Sequence, residues 1–188
     1  MGRIVVTEFM TLDGVMEDPG GAEGFERGGW AFHFERGSDG DKFKLDEVLG
    51  AEAHLLGRVT YEGFAKAWPS RTGSFADKLN NDPKFVVSST LDEPEWTNTI
   101  VLRGEVGAEV ARLKEQVDGD VLVAGSRTLV QALLRESLVD ELRLMVFPVV
   151  LGKGKRLFED GLEQAAWQLV ESDPVGDDGV LTLVYRPK

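Results

Sequence analysis

The sequence predicts an α/β domain with a mostly parallel central sheet flanked by helices and an antiparallel hairpin at its C-terminal end. Three observations carry this. Short runs rich in Val, Ile and Leu alternate with segments of helical spacing through most of the chain. Several of those runs end in Gly, Ser, Thr and Arg, the residues of a strand-to-helix turn. Finally, Asp177-Asp178-Gly179 separates two extended runs, a turn signal that makes a hairpin of them.

In order, Ile4 to Met10 reads as a buried strand closed by the turn Leu12-Asp13-Gly14. Residues 17 to 40 are glycine-rich and charged but carry Phe25, Trp30, Phe32 and Phe34, so they are expected to form a long functional loop. Phe43, Leu45, Val48 and Leu49 place a helix over Asp41 to Leu49, with Asp46 and Glu47 available to a cleft. A strand at Ala53 to Leu56 turns at Gly57-Arg58 into a helix over Val59 to Lys66, and Ser74 to Asn80 forms another, with Ser74 and Asp77 at capping-box spacing. Strands at Lys84 to Ser88 and Thr99 to Leu102 precede a helix from Val106 to Val117. Val121 to Ala124 is a strand, Thr128 to Arg135 a helix and Glu141 to Val149 a long strand. The turn Gly152-Lys153-Gly154 and the strands Trp167 to Ser172 and Val180 to Tyr185 follow. The apolar stretch Leu142 to Leu151 suits either a central core or an interface between two copies. The 188 residues fit a single domain, with no repeat or linker.

Composition narrows the chemistry. A net charge of −12 with no basic stripe opposes nucleic-acid binding. The absence of cysteine removes disulfides, thiolate metal sites and a cysteine nucleophile, and two histidines offer little for zinc, so no metal is expected. No apolar run has the length of a membrane span and MGRIVVTE is no secretory signal, so a cytoplasmic protein without membrane contact is expected. A hydrolase is disfavoured, because a G-x-S-x-G elbow is lacking.

Three strand ends share one kind of chemistry: Gly57-Arg58-Val59-Thr60, Ser88-Ser89-Thr90 and Gly125-Ser126-Arg127-Thr128. Ligands of open α/β sheets bind outside the carboxyl ends of the strands. There Arg58 or Arg127 can donate paired N–H groups to a phosphate, the hydroxyls can donate to its oxygens, and the first amides of a helix point outward at the positive end of its dipole. The plain alternative is that the glycines end strands, the hydroxyls cap helices and the arginines are solvated. Lys153, Lys155 and Arg156 are the densest basic cluster, but they lack P-loop spacing.

LLGRVTYEGF at 55–64, KFVVSSTL at 84–91, DVLVAGSRTLVQALL at 120–134, TLDGV at 11–15 and PVVLGKGKRLFED at 148–160 together resemble the dihydrofolate-reductase-like superfamily. The resemblance is closer to the branch containing the reductase (C-terminal) domain of the bifunctional riboflavin-biosynthesis deaminase/reductase, and it runs along almost the whole chain. It implies NADPH lying across the carboxyl edge of the sheet and hydride transfer to a small heterocyclic or sugar-derived substrate. That substrate would be 5-amino-6-(5-phosphoribosylamino)uracil, or alternatively dihydrofolate or another pterin; a third reading is a nucleotide-binding relative without turnover. A homodimer is implied as well.

By position, the resemblance assigns Gly57, Arg58 and Thr60 to cofactor phosphates and Ser88, Ser89 and Thr90 to the adenosine ribose and its 2′-phosphate. Gly125, Ser126, Arg127 and Thr128 fall to the pyrophosphate. Much of the family has glycine where Arg127 stands, so either the turn follows a different path or the arginine itself reaches the phosphates. On the substrate side, Asp13 is implied as the catalytic residue that binds substrate or relays a proton, and Gly14 permits close approach of the nicotinamide. Trp30 could stack on a planar ring, although a core plug is the alternative. Lys153 could bind a substrate phosphate, the alternative being a solvated turn.

Overall fold

The computed structural model describes Met1 to Lys188. The strands are β1 (Arg3–Thr11), β2 (Ala51–Gly57), β3 (Lys84–Val87), β4 (Thr99–Leu102), β5 (Asp120–Val123), β6 (Glu141–Phe147), β7 (Trp167–Val175) and β8 (Val180–Pro187). The helices are α1 (Gly37–Gly50), α2 (Arg58–Ala67), α3 (Ser74–Asn81), α4 (Val106–Gln116) and α5 (Arg127–Arg135), with a short 3-10 turn at Trp30–His33. The chain divides into two compact units, Met1–Val6 with Leu45–Asp140, and Thr7–Lys44 with Glu141–Lys188. No helix is long and apolar enough to cross a membrane.

In the first unit the strands run β4-β3-β2-β5-β1, every neighbouring pair parallel. Parallel neighbours require crossovers, which helices supply except between β3 and β4, joined by residues 88–98 without a helix. Val5, Leu56, Val86 and Leu122 come from four different strands and pack with Tyr61, Leu79 and Trp96 in one core. Helix α5 contributes Leu129, Val130 and Leu133, all buried. Helix α3 begins at Ser74 after Gly73, without a side-chain cap, so the expected capping box at Ser74 and Asp77 does not form.

At the amino-terminal edge of these strands the polar groups are paired. His54 Nε2 lies 3.0 Å from Asp82 Oδ2, and Lys78 Nζ donates to the same oxygen at 2.5 Å. Lys84, fully buried, donates to the carbonyls of Asn80 (2.9 Å), Asp82 (2.8 Å) and Thr97 (3.1 Å), and its ammonium stands 4.5 Å from the Trp96 ring centroid. Burial pushes the Lys84 pKa down to about 8 against the upward pull of Asp82.

In the second unit β8 pairs antiparallel with β6 and with β7, the hairpin that Asp177-Asp178-Gly179 signals. Leu142 and Leu144 to Phe147 are at most 8% exposed, so β6 is a core strand within the chain. Phe9 and Trp30 meet Phe147 edge-on, at 5.3 and 5.4 Å between centroids. The loop before α1 is organised by Asp18, itself buried: its carboxylate accepts the amides of Glu23 (3.0 Å) and Phe25 (3.1 Å), and its carbonyl accepts that of Gly29 (2.8 Å).

Candidate functional site

The strand register levels the carboxyl ends of the first unit. Gly57 stands opposite Val87, Val87 opposite Leu102, and Leu55 opposite Val123. The turns that follow β2, β3, β4 and β5 therefore emerge along one edge, as the strand-end rule requires of a ligand site.

Two of these turns are in contact. The Gly57 amide donates to the Gly125 carbonyl at 3.3 Å. A Cβ on Gly57 would stand 2.9 Å from Ser126 Cβ and 3.0 Å from the Ser126 nitrogen, so glycine is needed there for space. Gly125 takes the left-handed conformation (φ 81°), its peptide to Ser126 is cis, Ser126 is extended, and Arg127 is the first residue of α5. The positive φ falls on Gly125 and Arg127 is helical, so arginine meets no backbone penalty there. Neither α2 nor α5 receives a side-chain cap, whereas the Glu105 carboxylate caps α4 by accepting the Gly107 amide. Two helix N-termini at one edge thus keep their first amides for another acceptor.

Beside them lies a cleft of about 360 Å³ lined by Arg58, Ser88, Ser89, Thr90, Arg103 and Gly104, among others. Arg58 is half-exposed and bonded to Glu62 on the next helical turn at 2.9 Å. The Ser88 hydroxyl accepts the amides of Thr90 (3.2 Å) and Leu91 (3.0 Å), which fixes the turn and leaves its own hydrogen to donate outward. Arg103 donates to the Leu91 carbonyl at 2.6 Å, tying the end of β4 to the loop after β3.

The structure therefore brings Arg58, Ser88, Ser89 and Thr90 into one cleft and sets the Gly125–Ser126 turn against Gly57, while Thr60, Arg127 and Thr128 do not line that cleft. Arg103 and Gly104 were not among the residues read from the sequence. Arg-Gly does follow the strand at Thr99 to Leu102, but only the level ends of β3 and β4 bring it to the cleft.

In the second unit the expected substrate residues have other employments. Both Asp13 oxygens are engaged: Thr11 Oγ1 donates at 2.6 Å, the Leu151 amide at 3.2 Å and the Gly152 amide at 2.8 Å. Burial pushes the Asp13 carboxyl upward, but the hydrogen bonds from Thr11, Gly152 and Leu151 outweigh it and hold the pKa below the ordinary value. A carboxylate so held is a loop clamp, ill-suited to proton relay. Gly14 forms the adjoining turn, its carbonyl accepting the Leu157 amide at 2.9 Å. Trp30 is 2% exposed and its indole donates to the Glu17 carbonyl at 2.8 Å, so it is the core plug and offers no face to a substrate. Lys153 pairs with Glu26, and Lys155 with Glu17 at 3.1 Å. Glu23 is the contrasting carboxyl: burial first, then repulsion from Asp18, pushes its pKa up against the pull of Lys155.

Comparison with known proteins agrees with this architecture. The uncharacterized protein YyaP of Bacillus subtilis (strain 168) is 27% identical over 189 residues, covering 98% of this chain and 94% of that protein. Among solved structures, a protein assigned to riboflavin biosynthesis from Shewanella sp. PV-4 superposes with a TM-score of 0.79 at 21% identity, covering 99% of both chains. Dihydrofolate reductase from Enterococcus faecalis, complexed with NADP(H) and RAB-propyl, gives 0.64 at 17% identity, covering 98% of this chain and 96% of that one. These structural likenesses are likenesses of fold, dihydrofolate-reductase-like. The family model of the RibD C-terminal domain matches residues 3–181, and the chain belongs to that family.

Proposed function

We propose that the chain is an NADPH-dependent reductase that delivers hydride to a small heterocyclic or sugar-derived substrate. The observation that carries the reading is the cleft in which two guanidinium groups, Arg58 and Arg103, stand with Ser88, Ser89 and Thr90 beside two uncapped helix N-termini. In a chain of net charge −12, two arginines with three hydroxyls match the dianion on the adenosine ribose of NADPH. That chemistry gives no comparable grip on NADH. The Gly57 and Gly125–Ser126 turns suit the pyrophosphate, because their backbone can approach closely and the amides of α2 and α5 face outward. The structural likeness to a reductase complexed with NADP(H) supports the same choice.

A bound nicotinamide supplies the hydride. This chain's own residues orient the cofactor, exclude water and deliver a proton to the heteroatom of the reduced bond. Asp13 serves by fixing the 151–152 loop. The family membership favours 5-amino-6-(5-phosphoribosylamino)uracil as substrate over a pterin.

The test is a set of binding titrations with NADPH and NADH on the unaltered chain, Arg58→Ala and Arg103→Ala. NADPH binds more tightly, and each substitution weakens NADPH about tenfold or more while leaving NADH within about twofold, as loss of a charged hydrogen bond predicts. Equal affinities unaffected by either substitution overturn the 2′-phosphate assignment. Absence of binding to both nucleotides overturns the reductase. Saturable NADPH binding without consumption, across the uracil and pterin substrates, assigns a binding protein instead.

A further inference from the structure

The hairpin of β7 and β8 has two unlike faces. One lies on the core of the second unit, where Val175 and Val180 pack with Met145 and Phe147. Thr182 and Val184 are buried on the same side, and the register sets Asp173 opposite the first and Glu171 opposite the second. The carboxylates of β7 therefore lie on this face.

The other face carries no charge. Leu142, Leu144 and Val146 of β6 stand opposite Tyr185, Leu183 and Leu181 of β8, and Tyr185 and Leu181 stand in turn opposite Leu169 and Pro174 of β7. Trp167, two residues before Leu169, adds an indole to the same side. Cover is lost from β6 outward: its three residues are buried, Leu183 and Tyr185 are half-buried, and Leu181 and Leu169 are 41% and 47% exposed. The apolar layer thus runs past the edge of the core into solvent, and a contiguous exposed strip of this kind marks a contact surface.

The free edge of β7 is guarded while this face is open. Pro174 has no N–H to offer a neighbouring strand, and Glu171 and Asp173 repel a second β7 laid alongside. A two-fold association sets a patch on its own copy. At a net charge of −12 most approaches of two copies bring carboxylates together, whereas the apolar face of the hairpin brings none. We infer that two copies of the chain associate through this face, hairpin stacked on hairpin at about 10 Å, with Leu169 and Leu181 in the contact. The contact lies on β7 and β8, beyond the buried strand β6, and rests on no part of the dinucleotide reading.

Sedimentation equilibrium of the full chain tests this. At about 50 μM, above the micromolar dissociation constants of weak interfaces, the unaltered protein has twice the 20.7 kDa mass of one chain. Leu169→Glu and Leu181→Glu each put two carboxylates, one from each copy, into the apolar contact, which raises the dissociation constant about a hundredfold and moves the mass toward that of one chain. Both positions are nearly half exposed, so the new charge reaches water in the separate chain and the far-UV circular dichroism is unchanged. Ile100→Glu, on the exposed edge strand β4 of the first unit, leaves the dimer intact. The proposal is overturned if the unaltered chain is a monomer at that concentration, whatever the variants do. It is overturned equally if both folded hairpin variants remain dimers, or if Ile100→Glu alone dissociates the pair.

Discussion

Replacing Lys84 with Met tests the polar construction beneath the first unit. The ammonium is fully buried and satisfies the carbonyls of Asn80, Asp82 and Thr97, which come from the end of α3, its exit and the loop before β4. Met keeps the length of the side chain and removes all three donors. Each carbonyl left without a partner costs about 1–3 kcal/mol. Removal of a buried charge returns part of that, because a desolvated ammonium is itself unfavourable by several kcal/mol. The expected net loss is about 3–5 kcal/mol, the range for removing one member of a buried charged network. Against a total of about 5–15 kcal/mol for a domain, the variant stays folded in water but with a narrow margin. Urea unfolding followed by tryptophan fluorescence measures it: with a slope of about 2 kcal/mol per molar, the midpoint falls by about 1.5–2.5 M. A fall below about 0.5 M at unchanged slope refutes the reasoning, since it means that the three carbonyls find water or that the charge cost more than its bonds returned.

At the same edge, burial holds the His54 imidazole below its ordinary 6.5 against the upward pull of Asp82, so the folded state binds the proton less well than the unfolded chain. Stability accordingly decreases as pH falls below 6.5, by at most about 1.4 kcal/mol per pH unit, and His54→Gln flattens urea midpoints measured from pH 7.5 to 5. Trp30→Ala removes a core ring and lowers stability by about 3–5 kcal/mol, read by thermal melting; a selective rise in substrate KM at intact stability would return Trp30 to a stacking role. Asp13→Ala frees the Leu151 and Gly152 amides, and hydrogen exchange at those two positions accelerates while exchange in β6 does not. Because the Asp13 pKa is depressed in the fold, its clamp is present above 3.8 and is lost as pH falls through the lower folded value.

Much of the frame was legible because its determinants are local. The Val-rich run at Ile4 to Met10 extends by only a residue at each end in β1, and the Asp177-Asp178-Gly179 turn joins β7 and β8. Helix α1 begins at Gly37 rather than Asp41, since Gly-Ser-Asp-Gly carries no apolar periodicity by which a first turn could be read. Ser74 misled for a related reason: capping-box spacing fixes neither which residue is the cap nor whether the side chain turns back, and here Gly73 holds that place. The site divided along the same line. Arg58 with Ser88 to Thr90 followed from strand ends, which sequence shows, whereas Arg103 required knowing that β4 is level with β3. Trp30 is assigned to substrate through its place in a glycine-rich loop and Asp13 through the resemblance. Their partners, Phe147 for one and the Leu151 and Gly152 amides for the other, are more than a hundred residues away in the chain, and no local pattern encodes them.

The abutment of Gly57 on Ser126 makes two remote positions share one space. Any side chain introduced at 57 must be matched by a loss at 126, so the two cannot drift separately through sequence change. Arg58 and Arg103 share no space with each other, and their partners, Glu62 for one and the Leu91 carbonyl for the other, are separate, so each can be exchanged without a matching change at the other. A programme to alter nucleotide preference therefore has its free variables at the arginines and its fixed ones in the paired turns. Ser126→Gly removes the side-chain part of the clash that Gly57→Ala creates but leaves the backbone nitrogen at 3.0 Å.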